Sequence, residues 1–261
     1  MSSTQKTRQN KGEKGEKECI AYCFRNKNNS VWCMKHFNEP IGIELLDPKT
    51  QQVITSEGEI QKAGGMYKAD CQIRLLSTNK IWSPSIKSSN CAPPAILNHT
   101  PRTAKAFQNQ LHEYLPAIDR TLGFYLEKRR NQECREDVLL NDILSDDDDE
   151  ERMAWLHVIS YFAFSGTGSK PAKCPADSVL IWNGENVTFY PCETDIQKKK
   201  YIESLILKRL LKISIRDKGM PTTLTTENRQ WLFEDYRYDG TVKIKGSLHI
   251  RQMKPKKRKK K

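Results

Sequence analysis

Apolar residues along this chain recur at two spacings, and the alternation between them predicts a mixed architecture. Residues 11–24 carry Ile20, Ala21 and Phe24 at helical spacing, with Glu13 and Glu16 in the first turns, where acids suit the helix dipole. Residues 26–30 break that helix. Residues 41–46 read as a strand, with a turn at Asp47 and Pro48 and a return over 53–56. Gly64 and Gly65 signal a turn. Ile73 and Leu75 then alternate with polar neighbours in 67–76, and a turn near Asn79 leads into 81–87, giving a β-hairpin or two adjacent strands. A proline-rich loop over 91–101 precedes a long amphipathic helix from Arg102, with Ala106, Leu111, Tyr114 and Leu115 inward, and a second helical stretch over 118–130. The six acids of 146–151 lead into an apolar helix over 153–164 and read as its solvated N-terminus. A hairpin around Asn183 and Gly184, a helix over 196–211 and a strand over 241–252 complete the order. No repeat is present, and the expected fold class is α/β in the broad sense, a mixed α+β domain.

Composition narrows the function classes. The 261 residues suffice for one large domain or two small ones. Hydrophobic residues are 37% and charged residues 29%, and no apolar run reaches the roughly 18 to 20 residues of a spanning helix. Residues 1–17 are polar and basic with no apolar core, unlike a secretory signal, so an intracellular protein is expected. The net charge is +12, and the tail 254–261 (KPKKRKKK) holds seven of those charges, leaving the remainder near +5. A basic surface favours polyanions through counterion release. The tail reads as a solvated extension, a nuclear-import signal or a DNA anchor. The expected organisation is a basic arm over 1–12, a catalytic domain over 13–253 and the tail. The eight cysteines read as free thiols in such a context. Cys19, Cys23, Cys33 and His36 are a conceivable zinc set, but they lack the two-residue CxxC knuckle, and Cys19 and Cys23 equally fit one packed helix face.

The chemistry to weigh lies in Lys68-Ala69-Asp70 and Ser85-Ile86-Lys87. Antiparallel pairing would bring Asp70 and Lys87 together. A carboxylate suits a hard divalent cation such as Mg²⁺. A lysine beside it can orient a water and offset charge building on a phosphorus. Taken alone, the two residues read better as a surface aspartate and a snorkelling lysine.

Longer segments add to the pair. The glycine pair followed by Lys68-Ala69-Asp70-Cys71-Gln72-Ile73, and Pro84-Ser85-Ile86-Lys87-Ser88 continuing to Pro94-Ala95-Ile96-Leu97-Asn98, resemble the two motif strands of HpaII-like type II restriction endonucleases. Asn10-Lys11-Gly12-Glu13-Lys14-Gly15-Glu16 is similar to that family's opening, and 243–251 (KIKGSLHIR) to its closing strand. The four matches run in order from end to end, and the stretch 111–155 shows none. The resemblance implies a PD-(D/E)xK nuclease-like central mixed sheet flanked by helices. It also implies Mg²⁺-dependent cleavage of double-stranded DNA at a short sequence, and a cognate DNA methyltransferase acting on the same site. Monomer and homodimer both stay open.

The general nuclease motif has an acid where this chain has Ser85, although the HpaII-like pattern carries serine there as well. A second carboxylate must then come from elsewhere, and Glu16 and Glu13 are the candidates. The expected catalytic set is Asp70, Lys87, Ser85, Glu16 and Glu13, with metal held at Asp70, Glu16 and Ile86. Asn98, Arg102, Asn228, Arg229 and Gln230 are expected to face DNA, with Lys198, Lys199 and Lys200 on phosphates. Two alternatives accompany this reading: a PD-(D/E)xK nuclease of repair or structure-selective type, and a basic DNA-binding protein without catalysis.

Overall fold

The computed structural model describes residues 11–88, 95–98, 106–107, 109–131, 133, 137–144, 149–168, 170–215 and 248–253. The fold is mixed α+β, as the alternation of periodicities predicts. Two compact units divide the chain. One comprises Met1–Gly64, Ala69–Pro94 and Asp177–Pro191, the other Gly65–Lys68, Ala95–Ala176 and Cys192–Lys261.

The first unit opens with helix α1 (Lys11–Asn26), two residues longer than its periodicity suggests. Its buried positions are Gly15, Cys19, Ile20 and Cys23, whereas Ala21 and Phe24 are half-buried. The thiols act as small hydrophobes here and turn the buried face toward themselves. The break at 26–30 is only a corner. Asn29 accepts a hydrogen bond from the Trp32 amide (3.1 Å) and caps a short helix α2 (Ser30–Phe37), closed by Asn38 at φ 54°.

Strand β1 (Ile43–Leu46) pairs antiparallel with β2 (Gln72–Leu75), and β2 pairs antiparallel with β3 (Ile81–Trp82). The predicted hairpin is therefore β2–β3, and its second arm stops after two residues. Ser83 is the corner: its amide donates to Asp177 Oδ1 (2.7 Å), and the Asp177 amide returns a bond to the Ser83 carbonyl (3.1 Å). The chain resumes as β4 (Pro84–Ser88) in a different sheet, parallel to β7 (Ser178–Trp182), which pairs antiparallel with β8 (Val187–Pro191). Helix α1 packs on β4 and β7. Tyr22, Trp32, Phe37, Trp82, Trp182 and Phe189 form a chain of ring contacts, with centroids 4.9 to 5.8 Å apart.

The second unit holds β5 (Ala95–Asn98), helix α3 (Leu115–Arg130), β6 (Asp137–Leu139), helix α4 (Asp149–Ser160), helix α5 (Asp195–Leu207), β9 (Leu211–Ile215) and β10 (Leu248–Gln252). Its sheet runs β5-β10-β9-β6, antiparallel throughout. Within the described residues, the stretch predicted from Arg102 is helical at Ala106 and Phe107 and passes through a 3₁₀ turn at His112–Tyr114 into α3, which covers the stretch predicted over 118–130. Asp149, Glu150 and Glu151 occupy the first turn of α4, and Arg120 of α3 reaches Glu150 (2.7 Å) and Glu151 (3.6 Å). The acids thus tie two helices together besides facing solvent. A π turn, Tyr161–Ser165, continues α4. Among the described residues no helix is long and apolar enough to cross a membrane.

Glu39 is a buried carboxylate that closes the turn between α2 and β1. It accepts from the amides of Ile41 (2.8 Å), Gly42 (3.4 Å) and Ser77 (3.3 Å) and from the Ser77 hydroxyl (2.5 Å). Burial opposes its charge, but these donors outweigh burial and hold its pKa below the usual carboxylate value. Its contribution to stability is therefore present above the unfolded-state pKa and lost as pH falls through the lower folded-state value. Glu39→Gln is expected to cost about 1–3 kcal/mol at neutral pH, and the gap to wild type should narrow in acid. Chemical denaturation at two pH values measures both effects.

Candidate functional site

The site is built on the edge of β4 that faces away from β7. Backbone groups of successive strand residues point to alternate edges, so Pro84, Ile86 and Ser88 share one edge and Ser85 and Lys87 the other. The Asp70 amide donates to the Pro84 carbonyl (3.0 Å), and the Ile86 amide donates to Asp70 Oδ2 (2.6 Å). These two bonds clasp Asp70, which lies just before β2, onto β4. The Ile86 carbonyl opens on the same edge as the amide that Asp70 takes up. Upstream, Gly64 adopts φ +92°, a backbone region that favours glycine, so the predicted turn before the Asp70 segment is present.

Side chains of β4 alternate between faces. Ile86 is buried in the same core as Cys19, Ile20 and Cys23 of α1. Ser85 and Lys87 therefore take the opposite face, Ser85 buried and Lys87 half-buried. The clasp sets Asp70 beside Ile86, the residue before Lys87, and no antiparallel hairpin joins the two motif segments, because β4 has left the sheet of β2 and β3.

Glu16, half-buried on α1, completes the group. Its carboxyl is pushed up to about 7, first by burial and then by the negative charge of Asp70, with a smaller push from Glu13. Lys87 and Lys62 act in the opposite direction. The interactions with Asp70 and Lys87 bring Glu16 to the pair that the sequence spacing singles out. Glu13, one turn earlier, is ion-paired to the Lys62 ammonium. Lys62 is the residue that the sequence pattern does not reveal. It lies in a polar loop without periodicity, 49 positions from its partner.

Two mutually repelling carboxylates with a strand carbonyl beside them suit a hard divalent cation. Mg²⁺ commonly takes one or two protein carboxylates and keeps water for the remaining positions. Among the described residues no three His, Cys, Asp or Glu side chains gather to hold a metal; Glu16 and Asp70 are two carboxylates close enough to repel each other. In the conceivable zinc set, Cys33 directs its thiol at the carbonyls of Asn26 (3.7 Å) and Lys27 (3.4 Å). His36 lies against the Trp32 ring at 5.0 Å. Asn98 sits in β5 opposite His249 of β10, in the second unit. Lys198 pairs with Asp195 (3.5 Å) on α5 beside Lys199 and Lys200. Arg102, Asn228, Arg229 and Gln230 lie outside the described residues.

A carboxylate whose folded-state pKa is raised costs stability when ionised, and the cost vanishes as pH falls toward the unfolded-state value. Glu16→Gln should therefore raise the melting temperature at pH 8 by a few degrees, on the order of 1–3 kcal/mol, with the difference closing near pH 5. Millimolar MgCl₂ should stabilise the wild type more than the variant. A lower melting temperature for the variant at pH 8 would remove Glu16 from the electrostatic group.

No protein-family model matches this chain, and comparison with curated proteins and with solved structures gives no match.

Proposed function

We propose that this chain is a metal-dependent endodeoxyribonuclease of the type II restriction class, hydrolysing phosphodiester bonds of double-stranded DNA at a short sequence. What supports the reading is the electrostatic interaction of Glu16 with both Asp70 and Lys87, together with the Ile86 amide bond that holds Asp70 on β4. Asp70 and Glu16 are the carboxylates that would hold Mg²⁺, with the Ile86 carbonyl as a third oxygen. When bound, the ion supplies positive charge that polarises a phosphate and lowers the pKa of a water. Lys87 orients that water and offsets charge at the phosphorus. Ser85 is buried and uncharged, so it contributes no charge to the cation and helps to support the strand. The net charge of +12 suits a polyanionic substrate.

Asp70→Ala and Lys87→Ala should each lower cleavage of phage DNA in Mg²⁺ by at least about 10³-fold, while binding to duplex DNA in Ca²⁺ persists. Glu16 must be ionised to hold a cation and its metal-free pKa is raised to about 7, so at low Mg²⁺ the wild-type rate should rise with pH, and added Mg²⁺, which competes with the proton, should shift that rise to lower pH. Discrete bands support the restriction class, and a smear points to a structure-selective nuclease. Full cutting by both alanine variants would sink the proposal, and so would a wild type that binds DNA but leaves it uncut with Mg²⁺ or Mn²⁺.

A further inference from the structure

Lys62 sits on a strap fixed at several points. Arg25 near the end of α1 pairs with Glu57 (3.2 Å), and Glu59 accepts from the Thr55 amide (2.8 Å) and hydroxyl (2.7 Å). Ile60 and Ala63 plug into the core on either side of Lys62. Lys49 donates to the Lys62 carbonyl (2.8 Å), which fixes the backbone from which the ammonium projects. The side chain itself is half-exposed and ends on Glu13. A lysine on a mobile loop would lose entropy on ordering, whereas this one is already held beside the Glu16 group.

The Glu13 carboxylate occupies the Lys62 ammonium much as a phosphate oxygen would. A half-exposed ion pair of this kind contributes little to stability, so exchanging one anionic partner for another costs little. Lys62 acts on both acids of α1: it is ion-paired to Glu13 and also lowers the pKa of Glu16, on which Asp70 and Lys87 act as well.

We infer that Lys62 is a DNA-contacting residue, which binds a backbone phosphate beside the Asp70 and Glu16 carboxylates and is held in place by Glu13 until DNA arrives. The inference rests on the nuclease reading. In it Glu13 is a positioning residue that competes with phosphate and is not a ligand for a cation.

The test uses the 261-residue chain. Cleavage of phage DNA in Mg²⁺ gives KM and kcat, and fluorescence anisotropy with a mixed-sequence 30-base-pair duplex (about three helical turns) in Ca²⁺ gives the salt dependence of binding. Lys62→Ala should raise KM by on the order of tenfold with little change in kcat, and should flatten the log–log salt slope by about one phosphate contact. Lys62→Arg should restore most of both. Glu13→Gln should shift KM in the opposite direction, by removing the competing anion. If the pair is merely structural, Lys62→Ala and Glu13→Gln will lower the melting temperature alike and move KM the same way, which overturns the inference. Loss of kcat together with a raised Mg²⁺ requirement in Glu13→Gln overturns it too, because Glu13 would then be a cation ligand. A wild type that cuts DNA while Lys62→Ala matches it in KM and salt slope overturns the inference alone. A wild type that cuts no DNA overturns the nuclease reading and this inference together.

Discussion

The candidate site depends on one short hydrogen bond, from the Ile86 amide to the Asp70 carboxylate. An edge-strand amide needs a partner, and an aspartate beside a hydrophobic core needs a donor. Each satisfies the other, and the return bond from the Asp70 amide to Pro84 fixes the peptide as well as the side chain. The arrangement requires that β4 have an edge to offer. It has one because the strand leaves the β2–β3 hairpin at Ser83 and takes β7 as its partner on the other side.

The same neighbourhood accumulates unfavourable charge. Asp70, Glu16 and Glu13 share a small region with Lys87 and Lys62, and burial alone already resists ionisation of Glu16. An uncharged residue at position 16 would remove both the repulsion from Asp70 and the cost of burying a charge. Burial and the Asp70 charge thus disfavour the ionised form of Glu16, while Lys87 and Lys62 favour it.

How much of this was legible in the sequence follows from the range of each interaction. Helix α1 could be read from Ile20 and its neighbours, because a helix is decided by residues three and four apart. The exact face could not, because Cys19 and Cys23 pack as hydrophobes only once β4 and β7 lie against them. The β2–β3 turn was legible from alternation, but the early end of the hairpin was not. That end is set by Asp177, a residue 94 positions away with no local signature at Ser83. Asp70 and Lys87 stood out by residue type and motif likeness, and Glu16 by the need for a second acid. Lys62 stood out by nothing, since its partner is on another element and its loop has no periodicity.

The parallel pairing of β4 with β7 also governs when the molecule can be whole. Residues 84–88 leave the ribosome long before their partner strand at 178–182, and loop closure across that interval is slow compared with forming α1 or the β2–β3 hairpin. Until β7 arrives, the Ser83 corner has no Asp177 to hold it, and Asp70 has no fixed strand edge to grip. A nascent chain therefore carries its carboxylates and lysines unassembled for most of its synthesis. The pairing of β4 with β7 thus places assembly of this charged group late in synthesis, after residues 178–182 have emerged.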